Sequence, residues 1–203
     1  MHIAPFPAAP QAVFAHAPTV LRRAACQAVN LAVWHRPVPL AALPYLRSLT
    51  QHRLRADAPD PAALMRALPP GPTAARRAFG HDVARLAALL HAATGQEAAT
   101  LRLEVLDDDA CRRFHVDAVG VRLLTTYLGP ATEYLPEAAL DRGALSTSTQ
   151  HIQRLRPGDV GLFKGERAAP GRGAVHRSPP VSHLPGPRRV RILLAIDTAT
   201  AAP

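Results

Sequence analysis

The 203-residue sequence contains only two cysteines, Cys26 and Cys111. Two cysteines cannot build the disulfide framework of a small secreted protein, so the sequence favours a reducing compartment such as the cytoplasm. No apolar run approaches the roughly 20 residues that a membrane-spanning helix needs, which argues against a membrane protein. The N-terminus lacks a basic cluster and is interrupted by prolines, which argues against a signal peptide and predicts a flexible arm over residues 1–20.

Aromatic residues make up only 4% of the chain, and Lys164 is its only lysine. The net charge of +9 therefore comes almost entirely from arginines, which are dispersed as single residues and pairs rather than gathered in a tract. Proteins that bind single-stranded nucleic acids usually combine a basic surface with aromatic side chains on which the bases stack. The composition thus disfavours a nucleic-acid partner and does not distinguish between a small molecule and a protein as the partner.

The apolar pattern changes along the chain in a way that predicts an α+β protein. Apolar residues recur every three or four positions over residues 72–94, which predicts a long helix that ends at Gly95. We expect residues 21–203 to form a single domain, with a helical part over residues 21–96 and a β-rich part over residues 97–198. Alternating or β-branched segments predict strands in the second part, as a sandwich or small barrel, at residues 100–106, 114–117, 121–128, 160–163, 174–178 and 190–197.

A His-x-Asp pair, His115 and Asp117, lies in one of these predicted strands. Residues two apart on a strand point to the same face of a sheet, so the imidazole and the carboxylate are expected to face one point. Such a pair is two thirds of a 2-His-1-carboxylate metal site. By itself, however, His-x-Asp is common by chance and is equally typical of a surface loop.

The C-terminal half resembles the prolyl-hydroxylase branch of the Fe(II)/2-oxoglutarate dioxygenases. The resemblance covers roughly residues 111–197 and depends on the order of short motifs rather than on close identity. It implies that a double-stranded β-helix, a cupin-like jelly roll, is packed against the helical N-terminal half. The activity implied is hydroxylation of an unknown substrate, coupled to decarboxylation of the cosubstrate. The segments that carry the resemblance are FHVD, RLLTTYLG, LRPGDVGLF, AVHRSPPV and GPRRVRILLAID.

The same resemblance implies a set of site residues. His115, Asp117 and His176 correspond to the three Fe(II) ligands. A basic residue on the last strand would bind the C5 carboxylate of 2-oxoglutarate, because a guanidinium binds a carboxylate through two parallel hydrogen bonds. By position after the glycine, Arg188 matches best, and Arg189 and Arg191 are close rivals. Tyr127 and Arg122 are secondary candidates, on a strand that would line the pocket.

The whole chain also looks like a bacterial family of unknown function, whose members are often encoded beside zinc-responsive GTPase metallochaperones. The motifs that carry this resemblance are NLAVW, C-x-x-FH-x-D, TY-x-GP-x-TE and HRSPP. It favours a metal-linked role, and it draws attention to Cys111, four residues before His115. The main alternative is therefore a Zn(II) site of Cys, His, Asp and His on the same barrel, serving metal homeostasis without catalysis.

Less specific interpretations stay open beside these two. Cys111 is better explained as a small buried apolar residue than as a ligand, and Glu133 is explained as a turn or strand-edge carboxylate. His151 and His183 are typical of solvated loops. A third hypothesis for the whole chain is a structural β-barrel that binds a partner and whose metal site has decayed.

Overall fold

The computed structural model describes residues 11–51 and 53–198, and the helices in these ranges all lie on one side of a large sheet or in its connections. The α-helices are α1 (Leu43–Leu49), α2 (Pro61–Ala67) and α3 (Thr73–Thr94). Short 3-10 helices span Pro18–Ala25, Leu40–Ala42, Glu137–Ala139, Thr149–His151 and Gly186–Arg189. No helix in the described part of the chain is both long and apolar enough to cross a membrane.

The strands come from both halves of the chain. They are β1 (Gln11–Ala15), β2 (Val29–Trp34), β3 (Leu54–Ala58), β4 (Ala98–Leu106), β5 (Val121–Leu128), β6 (Glu133–Tyr134), β7 (Gln153–Arg154), β8 (Val160–Lys164), β9 (His176–Arg177) and β10 (Arg191–Thr198). Seven of them form a large sheet in the order β1-β2-β8-β5-β10-β4-β3. The other three form a small sheet in the order β7-β6-β9.

The large sheet separates two apolar clusters, and β10 at its centre contributes to both. Its neighbours β4 and β5 are antiparallel to it, and its residues from Arg191 to Ile196 are all buried. Ile192, Leu194 and Ile196 face the cluster that includes residues of α3, whereas Leu193 and Ala195 belong to the other cluster. This alternation follows from the two-residue period of a strand, and it explains why the sequence of β10 is almost continuously apolar.

The second apolar cluster, which we call the inner cluster, joins the large sheet to the small one. Leu31 of β2, Leu124 of β5 and Phe163 of β8 contribute from the large sheet, and Tyr134 of β6 contributes from the small sheet. The inner cluster therefore lies between the two sheets.

Helix α3 confirms the longest predicted helix. It ends at Gly95, whose φ of 70° is the left-handed conformation that glycine adopts without strain, and the Gly95 N–H caps the carbonyl of His91. Phe79, Val83, Leu86 and Leu90 are fully buried on one face of the helix against the large sheet.

The N-terminal half differs from the predicted helical half, because strands accompany its helices. Three strands, β1, β2 and β3, lie within the first 58 residues and complete both edges of the large sheet. The predicted flexible arm is also wrong for residues 11–20, because β1 pairs in parallel with β2 and the 3-10 helix Pro18–Ala25 follows it. Residues 1–10 of that arm lie outside the described residues.

Two predicted strands near the site are much shorter than expected. Residues 114–117 form no strand, and His115 makes only an isolated antiparallel bridge to His176. The predicted strand over residues 174–178 is reduced to the two residues of β9. Both segments follow long loops, and only a few of their backbone groups pair with other strands.

Candidate metal centre

Three side chains from two distant segments converge at one end of the space between the sheets. One ligand atom each from His115, Asp117 and His176 lies within 4.8 Å of the other two. Nε2 of His115 is 3.6 Å from Oδ1 of Asp117, and Nε2 of His176 is 3.2 Å from Oδ2 of the same carboxylate. The structure therefore brings together the three residues that the sequence predicted as a group.

Backbone pairing fixes the two histidines side by side. The His115 N–H donates to the carbonyl of His176, the His176 N–H donates to the carbonyl of His115, and both distances are 3.0 Å. The imidazole centroids are 4.7 Å apart, and the ring of Phe163 lies 4.7 Å from that of His176. The backbone bridge between His115 and His176 therefore places the two imidazole rings next to each other.

Each imidazole is oriented by the backbone carbonyl two residues before it. Nδ1 of His115 lies 2.9 Å from the carbonyl oxygen of Arg113, and Nδ1 of His176 lies 3.0 Å from that of Ala174. A carbonyl only accepts a hydrogen bond, so Nδ1 of each ring carries a proton. In the neutral imidazole, Nε2 then has the lone pair that a metal ion requires, and it points toward Asp117.

Arg122 holds the carboxylate between the histidines. Its Nη1 donates to Oδ1 of Asp117, and its Nε and Nη2 donate to the two carboxylate oxygens of Asp197 at 2.5 Å and 2.7 Å. Burial alone would raise the pKa of Asp117, but the adjacent imidazoles of His115 and His176 and the charge of Arg122 lower it well below its usual range. Asp117 is therefore a carboxylate, and its contact with the His115 imidazole raises the pKa of His115.

The three residues fit a divalent transition metal. Oδ2 of Asp117 is buried and accepts no hydrogen bond, which is unusual for a buried carboxylate oxygen. Two imidazole nitrogens and one carboxylate oxygen are the donor set of 2-His-1-carboxylate Fe(II) sites, which leave further coordination positions open. A metal ion bound by these atoms would satisfy the orphaned oxygen.

Arg191 is a second unsatisfied group between the sheets. Its side chain is fully buried, at 0% exposure, and Nε donates to the carbonyl of Pro130 at 2.6 Å. Nη1 and Nη2 are buried without a hydrogen-bond partner. Burial lowers the pKa of Arg191 to about 10, and the charges that act on it include Glu133 and Arg154 of the small sheet. Arg191 shares its face of β10 with Leu193 and Ala195 of the inner cluster.

The structure ranks the three candidate arginines differently from the sequence. Arg188, the best match by position, is exposed in the 3-10 helix Gly186–Arg189, and Arg189 lies half-buried at its end. These residues turn the chain before β10 begins, so they do not share the strand geometry on which the positional match depended. Among the three, Arg191 alone is fully buried.

The structure corrects the expected position of Tyr127 but not that of Arg122. Tyr127 belongs to the cluster on the α3 side of the large sheet, and its hydroxyl donates to Oδ2 of Asp82 in α3 at 2.7 Å. It therefore does not line the space that contains the three ligand candidates, because it faces the opposite side of β5. Arg122 does face that space, but both sides of its guanidinium are engaged by Asp117 and Asp197.

Cys111 does not join the group of potential ligands. It is exposed, it forms no disulfide, and the described residues that could together hold a metal ion comprise His115, Asp117 and His176 without it. The expectation that Cys111 is a buried apolar residue is also wrong. Its φ of 42° places it in a tight turn at the protein surface.

The remaining side chains singled out in the sequence have other surroundings. Glu133 is buried in β6 and accepts hydrogen bonds from Arg154 and Arg177, so it ties the three strands of the small sheet together. His151 and His183 are exposed, as expected for solvated loops.

Two functional contacts had no local signal in the sequence. Asp197 anchors Arg122 from the neighbouring strand, and the ring of Phe163 packs on His176. Asp197 was visible only as the single acid that ends an apolar strand, and Phe163 as one of many apolar residues. The backbone carbonyls that orient the two histidines leave no trace in the side-chain pattern.

Comparison with solved structures supports the fold. The dioxygenase for auxin oxidation 1 from Arabidopsis thaliana, solved with 2-oxoglutarate, superposes with a TM-score of 0.53 at 10% identity, over 95% of this chain and 93% of that one. A Shewanella oneidensis protein with a provisional oxygenase assignment has a TM-score of 0.54 at 10% identity, over 95% of this chain and 90% of that one. The two opposed sheets are thus arranged as in the jelly-roll fold of 2-oxoglutarate oxygenases, as predicted, although the N-terminal half is not the helical layer that we expected.

Sequence comparison supports a family rather than an activity. No curated protein matches the chain in sequence. The model of a family described as "protein of unknown function (DUF1826)" matches residues 15–197, which is nearly the whole chain and includes all three ligand candidates. The chain therefore belongs to the DUF1826 family.

Proposed function

We propose that this protein is an Fe(II)/2-oxoglutarate-dependent oxygenase that hydroxylates an organic substrate. One observation carries the proposal: the convergent His115, Asp117 and His176 share the space between the sheets with the buried, unpaired guanidinium of Arg191. The first three groups fit the metal, and the fourth fits the cosubstrate. A protein that only bound a metal would need no buried cation there.

In this proposal, His115, Asp117 and His176 hold Fe(II) through the two Nε2 atoms and Oδ2. When bound, Fe(II) together with 2-oxoglutarate and O₂ supplies the oxidising chemistry. The chain keeps the ligands ready through the carbonyl contacts at both Nδ1 atoms and through the hydrogen bond from Arg122 to Asp117. Such outer contacts fix the tautomer and orientation of the ligands.

Arg191 binds the C5 carboxylate of 2-oxoglutarate. A buried guanidinium without an anionic partner is costly, and a carboxylate accepting from Nη1 and Nη2 would form two charge-assisted hydrogen bonds. Nε is already fixed by the carbonyl of Pro130, so the guanidinium plane is set before the cosubstrate arrives. Leu193 and Ala195, next on the same face of β10, are buried in the inner cluster and exclude water.

The substrate approaches from the side of His115, whose side chain is 35% exposed, whereas that of His176 is 5% exposed. This open side suits either a small molecule or a protein segment. Because both cysteines of the chain are free, we assign the reaction to the cytoplasm.

The test is an anaerobic titration of the metal-free protein with Fe(II) and 2-oxoglutarate. We expect a visible metal-to-ligand charge-transfer absorption, which reports chelation of Fe(II) by the 2-oxo acid without any turnover. Arg191→Met should retain Fe(II) binding but weaken 2-oxoglutarate binding by about tenfold or more, since a charged hydrogen-bonding partner is lost. Arg188→Gln is the matched control, because it removes an exposed arginine a few residues away.

Two results would contradict the proposal. Tight Zn(II) binding without any charge-transfer absorption in the Fe(II) titration would favour a zinc protein. Absorption of equal intensity and equal 2-oxoglutarate affinity in Arg191→Met would show that the cosubstrate does not use this arginine.

A further inference from the structure

We infer that a cavity whose lining does not include His115, Asp117 or His176 binds a small carboxylate bearing a hydroxyl group. The inference is independent of the proposed oxygenase function. It rests on an unpaired buried cation and an unpaired buried acceptor that line the same cavity.

The cavity, which we call the Lys164 cavity, has a volume of about 480 Å³. Its walls come from the 3-10 helix Pro18–Ala25, the C-terminal end of α3, the start of β5 and the chain after β8. Among the residues that the structure describes, Lys164 and Arg167 are the charged lining residues, and no acidic side chain lines the cavity. The remaining polar lining groups are Gln27, Thr94 and Gln96, and the rest is mainly alanine. This combination of two cations, amides and methyl groups suits a small organic anion.

Lys164 is the only lysine of the chain and is 7% exposed. Its ammonium donates to the carbonyl of Cys26 at 2.7 Å, which uses one of its three N–H groups. Among the described residues, this contact is not accompanied by an ion pair with any carboxylate. Buried lysines are rare unless they are paired, so the two remaining N–H groups are available to an anionic ligand.

The charges around Lys164 also favour an anionic ligand. Burial lowers the pKa of Lys164, Cys26 opposes this effect, and the positive charge of Arg172 lowers the pKa by a smaller amount. Arg167, on the next stretch of chain, contributes a second positive charge at the cavity. A carboxylate placed between Lys164 and Arg167 would therefore be attracted by both side chains.

Gln96 defines the second requirement of the ligand. Gln96 lines the same cavity, and its Oε1 is buried and accepts no hydrogen bond. An orphaned buried acceptor is costly, and a hydroxyl group on the ligand would satisfy it. A carboxylate with a hydroxyl on a short apolar chain meets both requirements, whereas inorganic phosphate at neutral pH offers the anion but no apolar body to cover the alanines.

The experiment uses the single lysine as a reporter. Protein labelled with ¹³C-lysine gives one lysine side-chain signal set, that of Lys164, and it is titrated in separate samples with 3-hydroxybutyrate, butyrate and inorganic phosphate. We expect 3-hydroxybutyrate to shift the Cε signal saturably, with a dissociation constant of about 1 mM, and to bind several times more tightly than the other two probes. An unshifted signal, or equal affinities for butyrate and 3-hydroxybutyrate, would overturn the proposal, and so would tighter binding of phosphate.

Variants separate this cavity from the metal centre and from general electrostatics. Arg167→Gln should weaken 3-hydroxybutyrate binding by about threefold, because Arg167 is exposed and its charge is partly screened. Arg47→Gln, which removes an exposed arginine from α1, should leave the affinity unchanged. Ala168→Leu should abolish binding by filling the cavity while the charges stay in place.

Arg191→Met provides the remaining control, since it removes the other buried cation to which a carboxylate could bind. The Lys164 shift should persist in Arg191→Met with unchanged affinity. Its loss in that variant would place the carboxylate at the metal centre and overturn the inference, without bearing on whether Fe(II) and 2-oxoglutarate bind there.

Discussion

Arg122 donates a hydrogen bond to Oδ1 of Asp117 and leaves Oδ2 of that carboxylate without one. Nε and Nη2 of the same guanidinium donate hydrogen bonds to the carboxylate of Asp197 on the neighbouring strand β10. Arg122 therefore orients the Asp117 carboxylate. Oδ1 accepts the hydrogen bond from Arg122, and Oδ2 points toward His176. This arrangement selects Oδ2 as the atom that is free to bind a metal.

Replacing Arg122 should weaken metal binding without removing a ligand. We expect Arg122→Gln and Arg122→Lys to lower the affinity for Fe(II) or Zn(II) by about 10- to 100-fold, since neither side chain holds both carboxylates with a planar fork. Competition with a chromophoric chelator measures the affinity. Arg102→Gln is the matched control, because Arg102 pairs with Glu104 on β4 and does not contact the ligands. Unchanged metal affinity in both Arg122 variants would show that the hydrogen bonds of Arg122 stabilise the fold and do not support metal binding.

Metal binding should depend on pH through His115. The adjacent Asp117 carboxylate raises the pKa of His115 above its usual value, so this imidazole keeps its proton to higher pH in the metal-free protein and must lose that proton to bind. Apparent metal affinity should therefore rise as the pH increases through and above 6.5, and then level off. The same protonated state stabilises the metal-free fold below pH 6.5, and this contribution is lost as the pH rises through the raised pKa. Calorimetry at pH 6.5 in buffers of different ionisation enthalpy counts the released protons, and the absence of release would contradict this account.

Tyr127 should matter for stability and not for the cosubstrate. Its buried hydroxyl donates to Asp82, which also pairs with Arg36 through two hydrogen bonds. Tyr127→Phe should lower the free energy of unfolding by about 1–2 kcal/mol, because one hydrogen bond to a buried carboxylate is lost. Asp82→Asn should cost about 3–5 kcal/mol, since Arg36 then loses its charged partner. Urea unfolding measures both values. Loss of 2-oxoglutarate binding in Tyr127→Phe at unchanged stability would restore this residue to the site.

Gly129 should be intolerant of any side chain because of its position next to Arg191. Its φ is 79°, and a Cβ atom there would lie 2.3 Å from the carbonyl oxygen of Val190. Gly95 has a similar φ of 70°, but a Cβ atom would meet nothing within 4 Å. Gly95→Ala should therefore cost about 1 kcal/mol of unfolding free energy from backbone strain alone, and Gly129→Ala about 3 kcal/mol or more. Equal losses in the two variants would show that the turn before β6 adapts to the added methyl group.

Cys111→Ser separates the iron and zinc hypotheses. Cys111 is exposed and lies outside the ligand group, so the variant should bind Fe(II) and Zn(II) with affinities within about twofold of the unmodified chain. His176→Ala is the matched control and should lose most of the affinity. A large loss of Zn(II) affinity in Cys111→Ser would mean that the turn around Cys111 rearranges to supply a thiolate, as the zinc hypothesis requires.

The elements that the sequence predicted correctly are those with a strong local period. Helix α3 and strand β4 repeat their apolar residues at the spacing of their own backbone, and β5 and β10 are rich in β-branched or apolar residues, so a single segment contains the information. Strand β1 has no such pattern, and the alternation in β3 covers only five residues, two of them alanine; both strands lie at the edges of the sheet. These two strands can be identified only from the strands with which they pair, and those strands are distant in the chain.

For the site, the sequence by itself identified the three candidate metal ligands and the family to which the chain belongs. His115 and Asp117 are neighbours in the chain, and His176 was identified from the order of short motifs. Only the tertiary structure decided which arginine is buried, since a 3-10 helix before β10 leaves Arg188 in solvent and starts the strand at Arg191. It also decided that Tyr127 faces α3 and that Asp197 supports Arg122. The physical reason is that burial and facing depend on strand register, where a shift of one residue moves a side chain to the opposite face, and register is fixed by partners elsewhere in the chain.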